Sequence, residues 1–214
     1  MEVAVDILHK AHFMDLFIVE ESSSPIIAAA IHEGHHIRPE LLPYMNLTEA
    51  ERMREEDPYT GYLTGISDSR VIINISRFEV DMNRPREKAV YLRPEDAWGL
   101  RVWKPPLPPS LISHSLKLYD AFYRKVGKLL RHIIHARGYF VVLDLHSYNY
   151  KREGQQGEST NAQEPEINIG TIHNHDKWRP LIDYFMGRLS AATINGRHPD
   201  VRENVKFKGG EFSK

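Results

Sequence analysis

The chain has 214 residues, 41% of them hydrophobic and 27% charged, with a formal net charge of −1 and no cysteine. This mixture suits one soluble domain spanning residues 1–214, large enough to bury a core. It excludes disulfides, thiolate ligands and a cysteine nucleophile, and the balanced charge gives no global pull toward nucleic acid or an anionic membrane.

The first residues, Met1-Glu2-Val3-Ala4-Val5-Asp6, are acidic and unlike a secretory signal, and no apolar run is long enough to span a bilayer, so a cytoplasmic location is expected. Pro25–Ile31 is a continuous small, apolar run that predicts a buried strand with His32 at its carboxyl end. Thr48 and Glu51 have capping-box spacing, which predicts a helix through about Glu55. Val71–Ile75 predicts a second strand leading into Arg77. The proline-rich stretch 85–109 predicts an extended, loop-rich excursion. A long amphipathic helix follows from Ser110 or Ser113, with an apolar stripe of Leu116, Tyr119, Phe122 or Tyr123, Val126, Leu129 or Leu130, and Ile133. Gly138 ends it, preceded by His132, His135 and Arg137. Tyr139–Leu145 reads as the clearest buried strand, with His146 directly after it. Residues 151–163 are polar and read as a mobile loop. Asp176 is placed to cap a last helix over roughly 177–190. Strands alternating with helices imply an α/β fold: a central sheet, mostly parallel or mixed, flanked by helices. Ligands of such sheets bind outside the carboxyl ends of the strands, where both His32 and His146 fall.

His32 opens His32-Glu33-Gly34-His35-His36, where Gly34 permits a sharp turn. Two histidines with an aspartate or glutamate make a zinc site with one position left for water, with another divalent metal as an alternative occupant; a surface turn that merely contains histidines is the plain alternative. Asp144 and His146 point to one side of a strand, so Asp144 can orient the imidazole. A Ser147–His146–Asp144 triad is disfavoured, because near neighbours on one strand do not converge and there is no nucleophile elbow. Arg77, Asp81, Asn83 and Arg84 follow a strand in a segment with few hydrophobic partners. Arginine forks suit a carboxylate or an oxyanion, whereas most such charge runs are simply solvated, as Arg86 and Lys88 are expected to be. Glu55-Glu56-Asp57-Pro58 closes the first helix; runs like it usually face solvent, but Asp57 before a proline can turn toward the site. His114, His132 and His135 read as surface or packing residues, and His173 and His175 have no evident partner.

At His32-Glu33-Gly34, Glu55-Glu56-Asp57-Pro58, Ser76-Arg77, Asp81-Met82-Asn83-Arg84-Pro85, Asp144-Leu145-His146-Ser147 and Asn168-Ile169-Gly170-Thr171, the chain resembles the N-formylglutamate amidohydrolase family. The family looks like a branch of the zinc carboxypeptidase and aspartoacylase fold. The resemblance implies one zinc ion on His32, His146 and Asp57, with His35 as the alternative third ligand. It implies Arg77 as the catalytic group that polarises the scissile carbonyl, and Asn83 with Arg84 as the clamp on the substrate carboxylate. The implied reaction is hydrolysis of a small anionic N-formyl or N-acyl amino acid. A non-catalytic carboxylate-binding or regulatory domain, and a peptidase acting on C-terminal carboxylates, are the alternatives. The resemblance also implies a general-base glutamate on a strand after Gly209–Lys214. No glutamate within residues 1–214 has that context, so either a chain truncated at its C-terminus or a member with an incomplete site is expected, with weak or absent turnover, and Glu33 and Glu56 are the first substitutes to test.

Overall fold

The computed structural model describes residues 16–148 and 164–214, so the polar stretch 151–163 lies outside the described residues. The chain divides into two compact units, Met1–Tyr148 and Asn149–Lys214. The first unit holds a four-stranded sheet of β1 (Phe17–Glu20), β2 (Ile26–Ala30), β3 (Ser69–Ile73) and β4 (Val141–Asp144) in the order β1-β3-β2-β4. β1 is antiparallel to β3, while β2 runs parallel to both β3 and β4, so the sheet is mixed. The central position of β2 explains its composition: Ile27 to Ile31 are covered on both faces, and only small residues let the neighbouring layers approach so closely. β4 is half-buried rather than the most buried strand, because among the described residues it forms an edge of this sheet with β2 as its partner.

The capping box forms as the sequence predicts. Thr48 accepts from the Glu51 amide, the Glu51 carboxylate accepts from the Thr48 amide, and α1 spans Glu49–Glu55. A short α2 (Thr60–Leu63) precedes β3. The long helix α3 covers Pro109–Arg137 and ends at Gly138, whose φ of 78° is the left-handed geometry that a glycine adopts without strain. Its buried stripe is Ser115, Leu118, Tyr119, Phe122, Val126, Leu129 and Ile133. Leu118, not Leu116, is the first buried apolar residue of the stripe, because Leu118 stands four residues before Phe122 on the same face. Phe122 meets Phe17 of β1 edge to face at 5.7 Å.

The excursion 85–109 is irregular, as predicted, but it is not loose. Tyr91, Ala97, Val102 and Trp103 form a buried cluster with Ile37, Leu41, Met45, Leu47 and Phe78. Backbone bonds from Asn46 to Val102 and from Lys104 to Tyr44 tie its end down.

The second unit contains the parallel pair β5 (Ile167–Ile169) and β6 (Val201–Glu203), with α4 over Arg179–Ser190. Asp176 does not cap that helix. A 3-10 turn over Asp176–Trp178 intervenes, and the His175 side chain accepts from the Lys177 amide in its place.

Candidate metal centre and arginine cluster

The pairing of β2 with β4 sets the geometry of the site, since two parallel neighbours end at the same edge. His32 stands just past β2 and His146 just past β4, with their rings 4.8 Å apart. Asp57 arrives from the end of α1, and its amide donates to the His32 carbonyl at 3.0 Å. Asp57 Oδ2 lies 2.7 Å from His146 Nδ1 and 3.6 Å from His32 Nδ1. Each imidazole has a further carboxylate on its other nitrogen: Asp81 Oδ1 is 2.7 Å from His32 Nε2, and Asp144 Oδ2 is 3.1 Å from His146 Nε2.

The donor set fits a metal ion. Ligand atoms of His32, Asp57 and His146 lie within 4.8 Å of one another, the one such group among the described residues. The buried Nδ1 of His32 has no hydrogen-bond partner, as expected for a ligand atom aimed into a cation site. Two imidazoles, one carboxylate and a carboxylate behind each ring are also the donors a catalytic zinc site uses. His35 is placed elsewhere: its Nδ1 bonds Glu56, and its Nε2 lies 3.3 Å from Arg52 and 3.5 Å from Glu49.

Charge neighbours shift these groups strongly. Burial alone would raise the Asp57 pKa, but hydrogen bonds and charge from His146 and His32 outweigh it and lower the value from 3.8 to about 2. Burial alone would lower the His146 pKa, but Asp144 and Asp57 outweigh it and raise the value from 6.5 to about 10. Asp81 is fully buried yet held well below its ordinary range, because His32 and Arg77 overcome the burial penalty.

Arg77 lies beside this cluster. Its Nη2 donates to Asp81 Oδ2 at 2.9 Å and to the Tyr91 hydroxyl at 3.3 Å, and Nη1 donates to the Glu55 carbonyl at 3.3 Å. Its buried Nε has no partner. The Trp98 ring covers the guanidinium at 4.8 Å. Arg84 places its Nε 4.0 Å from Asp81 Oδ2 and its guanidinium 5.9 Å from the Tyr91 ring centre. Asn83 is fixed by its amide, which donates to Asp81 Oδ1 at 2.7 Å, while Tyr119 and Tyr123 donate to the Arg84 and Met82 carbonyls.

Two expectations are corrected here. The Arg77–Arg84 segment does not lack hydrophobic partners, since Phe78, Val80 and Met82 are fully buried and Glu79 and Asp81 are buried with them. Nor does the Glu55–Asp57 run face solvent. Glu56 is buried because it accepts from Ser76 Oγ and pairs with His35 Nδ1, and Asp57 is buried between the two histidines. Arg86 does remain at the surface, in a bidentate pair with Asp120. The sequence reading assigned no role to Tyr91 or Trp98, which sit in the proline-rich excursion and reach the site only through its folding.

Residues 24–214 match the family model described as N-formylglutamate amidohydrolase. The chain belongs to the N-formylglutamate amidohydrolase family. That places it among amidohydrolase-type hydrolases and agrees with the motifs that carried the resemblance. A solved N-formylglutamate amidohydrolase from Ralstonia eutropha JMP134 superposes with a TM-score of 0.68 at 12% identity, covering 94% of this chain and 80% of that one. A solved gene product from Agrobacterium tumefaciens gives 0.66 at 19% identity, covering 92% and 76%. At such identities these likenesses establish the fold. No curated protein matches the chain. Among the described residues, no helix is long and apolar enough to cross a membrane.

Proposed function

We propose that this family member is a metal-dependent amidohydrolase that cleaves a small N-formyl or N-acyl amino acid, N-formylglutamate-like, into the acid and the free amino acid. The observation that carries this reading is the buried, unpartnered Nδ1 of His32 facing Asp57 and His146. His32, Asp57 and His146 would hold one zinc or a similar divalent ion, which when bound would supply Lewis acidity toward water and the scissile carbonyl. Asp81 and Asp144 keep the two imidazoles in the tautomer that leaves Nδ1 free. Arg77 donates to the oxygen that gains charge as the carbonyl is attacked. Asn83 and Arg84 bind the substrate carboxylate and so fix which carbonyl faces the site.

Proton transfer needs a further group. Glu33 is engaged by the Gly61 amide and Thr60 Oγ1, and Glu56 by Ser76 and His35, so the glutamates beside the ligands are both committed. That commitment favours the second reading, a carboxylate-binding domain without turnover. One experiment separates the two. Zinc is measured on the dialysed chain and on His146→Ala, and formate release from N-formyl-L-glutamate is followed with zinc restored. Stoichiometric zinc in the parent, lost in His146→Ala, together with formate release, supports the hydrolase. Calorimetric binding of N-formyl-L-glutamate without release under any divalent metal supports the binding domain. Zinc retained by His146→Ala removes His146 from the ligand set.

A further inference from the structure

The 3-10 turn Pro94–Ala97 ends in an unusual residue. Trp98 has a φ of 54°, a left-handed conformation that a bulky side chain rarely adopts, and its neighbour Gly99 has a φ of 94°. The turn is pinned on both sides. Asp96 accepts from the Leu92 and Arg93 amides, Gly99 and Leu100 donate to the Pro94 and Ala97 carbonyls, and Ala97 is fully buried in the core cluster. The result is an indole held 45% exposed, with its ring over the Arg77 guanidinium and edge to face with Tyr91 at 6.1 Å. Tyr91 in turn carries Arg84 over its own ring and bonds both Asp81 and Arg77.

The guanidinium of Arg77 is therefore fixed by two kinds of contact. Asp81, Tyr91 and the Glu55 carbonyl hold Nη1 and Nη2, and Trp98 holds a face. Nε is the one guanidinium nitrogen left buried without a partner. An indole on the face of a cation attracts it and excludes water from it, which also strengthens the ion pair to Asp81. We propose that Trp98 is a positioning residue that holds the Arg77 guanidinium in one plane and so fixes how that group meets the substrate oxygen. This rests on the reading of Arg77 as the oxyanion donor. In this role Trp98 acts through Arg77.

The test is a double-mutant cycle on the zinc-loaded full chain with N-formyl-L-glutamate. Trp98→Ala is expected to lower kcat roughly 3- to 30-fold, the range of one cation–π contact, with KM changed less than about twofold. Trp98→Phe keeps a ring and is expected to recover most of the loss. In an Arg77→Lys background, Trp98→Ala is expected to cost little more. Independent losses that simply add, an effect confined to KM, or a lowered melting temperature with unchanged kcat would each overturn the proposal. If the parent chain releases no formate, the hydrolase reading fails and the inference is decided by NMR. The Arg77 Nε–H resonance is expected to show a ring-current shift that Trp98→Ala removes and Trp98→Phe retains, and an unmoved resonance in Trp98→Ala would overturn it.

Discussion

Asp81 has two carboxylate oxygens and four hydrogen-bond partners. Oδ1 faces His32 Nε2 and the Asn83 amide, while Oδ2 accepts from Arg77 and Tyr91. One buried charge thus orients a candidate metal ligand and balances a buried arginine. Asp81→Asn keeps the shape but turns an N–H2 group toward donors and leaves Arg77 without its counter-charge. Removing one partner of a buried ion pair costs about 3–5 kcal/mol, so urea unfolding of the metal-free variant should show a loss of that order. Zinc affinity should fall by about 10- to 100-fold through the His32 ring, measured by competition with a chelator of known affinity. A stability within about 1 kcal/mol of the parent would mean that Arg77 finds another anion. Asp81 was hard to weigh in the sequence, where it sits in a charged run that reads as a solvated loop. Its principal partner, His32, is 49 positions away, and only folding reveals that pairing. His32 and His146 were legible because each directly follows an apolar run that ends in a turn or loop.

The loop after β2 is held to the loop after β3 beyond the end of the regular ladder. His36 donates to the Asn74 carbonyl at 3.0 Å, and Ser76 donates to the His36 carbonyl at 2.8 Å. Gly34 sits inside this clamp. A Cβ there would lie 2.3 Å from the Asn74 carbonyl carbon and 2.4 Å from the Ile75 oxygen, both backbone atoms that cannot swing aside. The sequence suggested a sharp turn at Gly34; the requirement is close approach of two backbones. Gly34→Ala should therefore destabilise the chain by about 3 kcal/mol or more through overpacking and should weaken zinc binding, because His32 and Arg77 flank the clamp. Denaturant unfolding checks the first and metal retention the second; a variant of parental stability would mean that the loops separate freely. The elements with local signals were readable: the Thr48–Glu51 box, the Gly138 stop, and the alanine-rich strand β2. What escaped depended on sheet order and long-range packing. The half-buried state of β4 follows from its edge position, and the burial of Tyr91 and Trp103 follows from a core cluster closed by a segment that carries no periodic pattern.

With 28 basic and 29 acidic residues, the chain's acid response depends on which carboxylates resist protonation. In the unit Asn149–Lys214, Glu166 is such a group. Arg197 donates to both of its oxygens and the Asp200 amide donates to Oε2 at 3.0 Å. The hydrogen bonds from Arg197, then that from Asp200, lower its pKa from 4.5 to about 2. A depressed carboxylate pKa means that between those two values the unfolded chain binds more protons than the folded one. Stability from this contact is therefore complete above the unfolded pKa of 4.5 and is lost as pH falls through about 2. Arg197→Gln removes the charge but keeps a donor, so the Glu166 carboxyl resonance should titrate closer to 4.5 in the variant, with the start of acid unfolding moved to higher pH. The pair is exposed, and at about 1 M salt the screening length shrinks to about 3 Å. Salt should then raise the parent's Glu166 midpoint less than the substitution does, because the direct hydrogen bonds survive screening. An unchanged midpoint in Arg197→Gln would show that hydrogen bonds, from the Asp200 amide and the retained side-chain donor, hold the carboxylate low without the arginine charge.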